Sequence, residues 1–248
     1  MITLGTFWRE VRLVASTPST NADLAAAAQR GEAEGLVEVA EFQSAGRGRL
    51  GRTWVAPPGT ALMASVLLRP SGVPQERWSW LPLLAGVAAA EAVREHTGVS
   101  AVLKWPNDLL VADRKLAGVL AERAGDAVVI GMGLNVRLTE AQLPSTAATS
   151  LLLAGATTDR LALLWAVLRA LGGWYGRWRA ADGDANSCGL AEAYEALCAT
   201  LGRRVRVELP DADVEGTAIG ITGDGALRVR DPAGAVRTLA AGDVVHVR

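Results

Sequence analysis

Residues 101–135, AVLKWPNDLLVADRKLAGVLAERAGDAVVIGMGLN, decide the fold. Four short β-type runs, Ala101–Trp105, Leu109–Val111, Leu116–Ala121 and Ala127–Gly133, are broken by Pro106-Asn107-Asp108 and Asp113-Arg114, residue types that form tight turns. This pattern predicts hairpins in a mixed sheet. Toward the N-terminus, Val11–Val14, Leu36–Phe42 and Ala61–Leu68 read as further strands, with a helix from about Asn21 to Arg30 closed by Gly31. Trp80–His96 is apolar on nearly every face, so it predicts a buried helix capped by Gly98.

Beyond residue 135, Asp159–Arg179 reads as a helix with a weak point at Gly172-Gly173, and Leu190–Leu201 as another ended by Gly202. Trp165, Trp174 and Trp178 are packing residues on this reading. From Arg203 the character changes. Arg204–Leu209, Val214–Ile221, Ala226–Arg230, Val236–Leu239 and Val244–Val247 are short strands separated by Asp-, Gly- and Pro-containing turns, which predicts a small antiparallel barrel. The expected architecture is α+β, with one unit over residues 1–202 and a second over 203–248.

The 248 residues are 50% apolar and carry a net charge of −1. No stretch approaches the roughly 20 apolar residues of a membrane span, and the N-terminal region soon meets Arg9, Glu10 and Arg12, so a cytoplasmic protein with no membrane anchor is expected. Cys188 and Cys198 have neither metal-ligand nor redox spacing and are expected to be reduced, buried and inert. With His96 and His246 as the only histidines, little material exists for a histidine relay or a zinc site. Near-zero charge provides no overall field toward nucleic acid. Of the 25 basic residues only Lys104 and Lys115 are lysine, eleven positions apart, which points to a place for compact point charges that arginine does not replace.

Four constellations offer chemistry. Gly46-Arg47-Gly48-Arg49-Leu50-Gly51 follows a strand; its glycines allow an anion nest, and Arg47, Arg49 and Arg52 supply bidentate donors, although a solvated loop or an RNA-binding Arg-Gly segment has the same composition. Ser19-Thr20-Asn21 precedes a helix and reads either as an N-cap cluster or, with Gln43, as neutral donors and acceptors for a ureido or amide head group. Lys104-Trp105-Pro106-Asn107-Asp108 and Lys115-Leu116-Ala117-Gly118 lie on two arms of one expected hairpin, which aims both lysines at one pocket, with Asp108 a candidate metal partner. Gly131-Met132-Gly133-Leu134-Asn135 ends a strand with close-approach glycines; Asn135 either reads an adenine edge or is a turn residue.

In this order, the segments Ser19-Thr20-Asn21, Glu41–Arg49 with Gly51-Arg52-Thr53-Trp54, Lys104–Asp108, Lys115–Gly118 and Gly131–Asn135 resemble the biotin protein ligase family over nearly the whole chain. The resemblance implies a mixed-sheet catalytic domain of the biotin/lipoate ligase type with a C-terminal SH3-like barrel. It also implies formation of biotinyl-5′-adenylate from biotin and Mg-ATP, and transfer of biotin to a lysine of a biotin carboxyl carrier domain. By similarity, Ser19, Thr20, Asn21, Gln43, Gly48 and Gly118 hold biotin. Lys104, Asn107, Arg52, Trp54 and Asn135 serve ATP. Arg47, Arg49 and Lys115 face both substrates and the adenylate. Asp108 is the candidate for placing the amine or a metal, and the Mg2+ ligands are otherwise unassigned. The Gly/Arg loop is then a lid, expected to be disordered when empty. Only 18 residues precede Ser19, too few for a helix-turn-helix domain, so a ligase without DNA binding, monomeric or weakly dimeric, is expected. Two alternatives are a lipoate or octanoate ligase of the same architecture and a nucleic-acid-binding module built on the Arg-Gly loop.

Overall fold

The computed structural model describes residues 7–247. Its main sheet contains β1 (Glu10–Val14), β2 (Leu36–Ala40), β3 (Ala61–Leu68), β4 (Val102–Lys104), β5 (Asp108–Val111), β6 (Arg114–Ala124) and β7 (Ala127–Asn135), in the spatial order β1-β2-β3-β7-β6-β5-β4. β1 and β2 are parallel and are joined through α1 (Thr20–Gln29); every other pairing in this sheet is antiparallel.

Strand alternation divides the sheet into two faces. Leu62, Ala64, Val66 and Leu68 of β3, with Val128, Ile130, Met132 and Leu134 of β7, pack in the large core with α2 (Trp80–Thr97) and α3 (Arg160–Ala180). On the opposite face, Leu67 and Val129 pack beneath Leu24, Ala27 and Ala28 of α1. The α1 helix covers only one end of this face. Further along the same rows β3 carries Ser65, and β7 carries Gly131 and Gly133 in place of large apolar residues, so the sheet there is left as a floor.

The second sheet contains β8 (Arg204–Glu208), β9 (Val214–Ile221), β10 (Leu227–Arg230), β11 (Val236–Leu239) and β12 (Asp243–His246), antiparallel in the order β11-β10-β9-β8-β12. Among the described residues β11 and β12 remain edges, so the expected barrel is an open five-stranded sheet. Indole groups tie it to the main unit. Trp80 Nε1 donates to the Gly223 carbonyl at 2.8 Å and Trp105 Nε1 to the Gly225 carbonyl at 3.0 Å. Both tryptophans are fully buried, and truncating either is expected to cost about 3–5 kcal/mol.

Three local expectations are corrected. The α3 helix runs unbroken through Gly172-Gly173, because Gly172 is the gap into which the Trp8 indole fits. The last helix, α4 (Leu190–Leu197), stops four residues earlier than its composition implied. There Cys198 becomes extended and bridges Leu103, and Ala199 N–H donates to the Leu103 carbonyl at 2.8 Å. The β6 strand continues past Ala121 through Glu122 and Arg123, whose charge hid the strand; both pair in register with β7. Cys198 is buried as expected, whereas Cys188 is only half-buried.

Candidate active site

A cavity of about 250 Å³ lies on the open part of the α1 face. Its floor is a row across the sheet: Lys104 opposite Asp108, Asp108 opposite Gly118, and Gly118 opposite Gly133. Hairpin register therefore brings the two lysine-bearing segments together, as the sequence predicted. The glycines are required by what lies on them. A Cβ on Gly133 would stand 2.2 Å from the Trp54 ring, and one on Gly131 would stand 2.1 Å from Asn21 Oδ1.

At one end the polar groups are neutral and nearly dry. Ser19 caps α1, its Oγ accepting from Ala22 N–H at 3.4 Å, and it also lines the cavity, so its two readings are compatible. Gln43 Oε1 accepts from Thr20 N–H at 2.8 Å. Because that partner only donates, the carboxamide nitrogen of Gln43 is the end left for a ligand. Asn21 Nδ2 donates to Glu122 Oε2 at 2.7 Å and to the Leu120 carbonyl at 3.3 Å. Ser65, fully buried, donates to Asn21 Oδ1 at 2.6 Å and lies 2.7 Å from the Thr20 hydroxyl, which must then donate to it. The chain Thr20→Ser65→Asn21 thus runs in one direction, and one lone pair of Asn21 Oδ1 remains as an acceptor.

The other end is charged. Lys115 Nζ lies 2.7 Å from Asp108 Oδ1 and 5.9 Å from the Trp54 ring centroid. Burial pushes the Lys104 ammonium below its ordinary value; Asp108 and Asp243 oppose the shift and Lys115 adds to it. The Gly/Arg loop is a narrow hairpin. Trp54 N–H donates to the Gly46 carbonyl at 2.9 Å and Gly48 N–H to the Arg52 carbonyl at 2.7 Å. Its arginines are all held by protein groups, with Arg49 and Arg52 sharing Asp243. Arg47 lies 3.3 Å from Glu122 and Arg52 is ion-paired with Asp243. Arg49 donates to Asn107 Oδ1 at 3.2 Å and to the Gly242 carbonyl at 3.4 Å, and burial lowers its pKa. Asn107 is fixed in turn by donating to the Val119 carbonyl at 2.9 Å.

Of the expected site residues, Ser19, Thr20, Asn21, Gln43, Arg47, Gly48, Arg49, Arg52, Trp54, Lys104, Asn107, Asp108, Lys115 and Gly118 all border this cavity. Asn135 does not. It is buried, and its amide donates to the Thr149 carbonyl at 2.9 Å, closing the end of β7 against the following segment. Ser65, Glu122 and Asp243 were missed. A serine within an apolar strand and a glutamate beyond an apolar run were the available signals; Asp243 had none, because its role depends on where the second sheet docks.

Residues 13–135 match the family model described as biotin/lipoate A/B protein ligase, and residues 200–247 match that of the biotin protein ligase C-terminal domain. The chain is 42% identical to the biotin–[acetyl-CoA-carboxylase] ligase of Mycobacterium tuberculosis, over 100% of this chain and 93% of that protein. A structure of biotin protein ligase from Aquifex aeolicus in complex with biotin and ATP superposes with a TM-score of 0.81 at 27% identity, covering 97% of this chain and 99% of the other. One from Leishmania major in complex with biotinyl-5-AMP gives 0.66 at 26% identity, covering 94% and 99%.

Proposed function

The chain belongs to the biotin/lipoate A/B protein ligase family, and from that premise we propose that it activates biotin with ATP and transfers it to a lysine of a biotin carboxyl carrier domain. The observation that carries this reading is the polarity of one cavity. A neutral end offers one amide donor and one amide acceptor, and a charged end gathers Lys104, Lys115 and three arginines. A cyclic urea presents a carbonyl and ring N–H groups, the complement of Gln43 Nε2 and Asn21 Oδ1. A carboxylate meeting a triphosphate needs fixed positive charge at the reacting end.

In the first step a biotin carboxylate oxygen attacks the α-phosphorus and pyrophosphate leaves, forming the mixed anhydride. Lys115 exchanges Asp108 for the carboxylate and α-phosphate, and Arg47, Arg49 and Arg52 exchange their protein partners for phosphate oxygens. Trp54, lying over Gly118 and Gly133, walls the nucleotide side. In the second step the carrier amine attacks the acyl carbon and AMP leaves. Asp108, released from Lys115, is placed to orient that amine.

A Mg2+ ion bound with the nucleotide would supply charge neutralisation at the phosphates. Among the described residues no three potential ligands of the His, Cys, Asp or Glu type converge, whereas one or two carboxylates beside substrate phosphates suit this ion, and Asp108, which borders the cavity, would be the residue to hold it. We place the boundary between the catalytic and C-terminal domains at Gly202. No described helix is long and apolar enough to cross a membrane, which supports a cytoplasmic site of action.

The test is ATP–pyrophosphate exchange by the purified chain with biotin or octanoate, followed by mass spectrometry of a carrier domain. Biotin-dependent exchange and a biotin adduct on one lysine are expected. Exchange driven by octanoate instead would replace this reading with the lipoate-type one.

A further inference from the structure

Glu122, outside every motif, is where the loop and the head-group end meet. Its two carboxylate oxygens serve different elements: Oε2 accepts from Asn21 of α1 at 2.7 Å, and Oε1 lies 3.3 Å from Arg47 of the loop. The orientation of Asn21 follows from this pairing. The carboxylate of Glu122 and the Leu120 carbonyl both accept only, so the NH2 group of Asn21 must face them and its oxygen must face Ser65 and the cavity. Without Glu122 the remaining contact on the NH2 side is the longer one, 3.3 Å to Leu120. An asparagine amide in the opposite sense would offer donors where ring N–H groups must be received.

We propose that Glu122 is a positioning residue that holds the acceptor side of Asn21 toward the biotin head group and, through Arg47, links that setting to the position of the Gly/Arg loop. This rests on the ligase reading above. It makes head-group recognition and loop placement two outputs of one carboxylate. Arg47 and Leu120 border both the cavity and the space beneath the outer side of the loop, which Glu122 also lines, so the link is short.

The test uses the full chain and its biotin dissociation constant measured by calorimetry. Glu122→Ala and the isosteric Glu122→Gln are both expected to weaken biotin binding about tenfold, with the KM for ATP within about twofold of wild type. In an Asn21→Ala background, Glu122→Ala should change biotin affinity by less than about twofold, because the group it orients is gone. A merely structural glutamate would give the same loss in both backgrounds, and that result would overturn the proposal. So would wild-type affinity in both single variants. Biotin should slow tryptic cleavage at Arg47 and Arg49 in wild type but not in Glu122→Ala; equal protection in the two would refute the link to the loop. A wild-type chain that binds biotin while the variants behave as wild type refutes only the role of Glu122, whereas a wild type without biotin-dependent exchange removes the ligase reading and the proposal with it.

Discussion

The two ends of the cavity are built on opposite plans. At the head-group end Thr20, Ser65, Asn21 and Gln43 are linked by short hydrogen bonds with a defined direction, so the ligand meets a surface already set. At the phosphate end three of the cations are held by carboxylates that substrate would displace: Lys115 by Asp108, Arg47 by Glu122, Arg52 by Asp243. Neutral hydrogen bonds are directional and costly to leave unmade when buried, so they are completed within the fold. Ion pairs at a partly exposed site are individually weak and exchangeable, so the same charges can be neutralised first by protein and then by phosphate.

Lys115→Ala should produce the largest effect. Removing the cation between carboxylate and α-phosphate is expected to lower biotin-dependent pyrophosphate exchange about 10³-fold while biotin affinity changes less than about threefold. Equal losses in both would break the division between the ends. Gly133→Ala comes next. Its Cβ would displace the Trp54 ring from the floor, and the KM for ATP should rise by about tenfold or more, measured by initial rates. With Arg49→Gly the Asn107 and Gly242 contacts of the loop disappear. Free biotinyl-adenylate, quantified by chromatography, should accumulate about tenfold over wild type.

Two smaller effects probe carboxylates flanking the two ends. Glu38 on β2 is buried, facing Asp23 of α1. Its carboxyl is pushed up to about 7, first by burial and then by Asp23, with Arg12 opposing. Between its unfolded value near 4.5 and about 7 the folded state binds the extra proton, so stability falls as pH rises through this window and stays low above it. Glu38→Gln should therefore leave the melting temperature nearly unchanged near pH 4 and stabilise by on the order of 1–2 kcal/mol at pH 8, read by calorimetry. Asp243→Asn should give the smallest change. A weaker competitor for Arg52 and Arg49 lowers the KM for ATP about two- to threefold, and a rise in KM would show that Asp243 helps to hold the nucleotide.

Much of the site was legible because its residue types are costly to place for packing alone. The two lysines and the paired glycines of β7 needed a reason, and strand alternation put them on one floor. The amide at Asn135 shows the limit: an asparagine at a strand end satisfies a backbone carbonyl as readily as an adenine edge, and sequence spacing does not distinguish the two. Trp105, read beside the lysine as chemistry, borders the cavity and is also a buried peg whose indole N–H reaches Gly225. Composition also overextended α4, since an Ala- and Leu-rich run remains helical until a long-range contact, here Leu103 with Cys198, supplies other partners.

The family, the α+β architecture and the cationic Gly/Arg loop were determined by sequence alone, because turn chemistry, apolar periodicity and rare residue types are local properties. The tertiary structure decided which hydrogen-bond partner each polar atom has. It set the direction of the Thr20, Ser65 and Asn21 chain, the pairing of Arg47 with Glu122, and the arrival of Asp243 from the second sheet. These depend on strand register and on how the two sheets dock, which are products of contacts between residues 44 to 193 positions apart. A loop arginine and a pocket asparagine became coupled only when a strand brought one carboxylate between them.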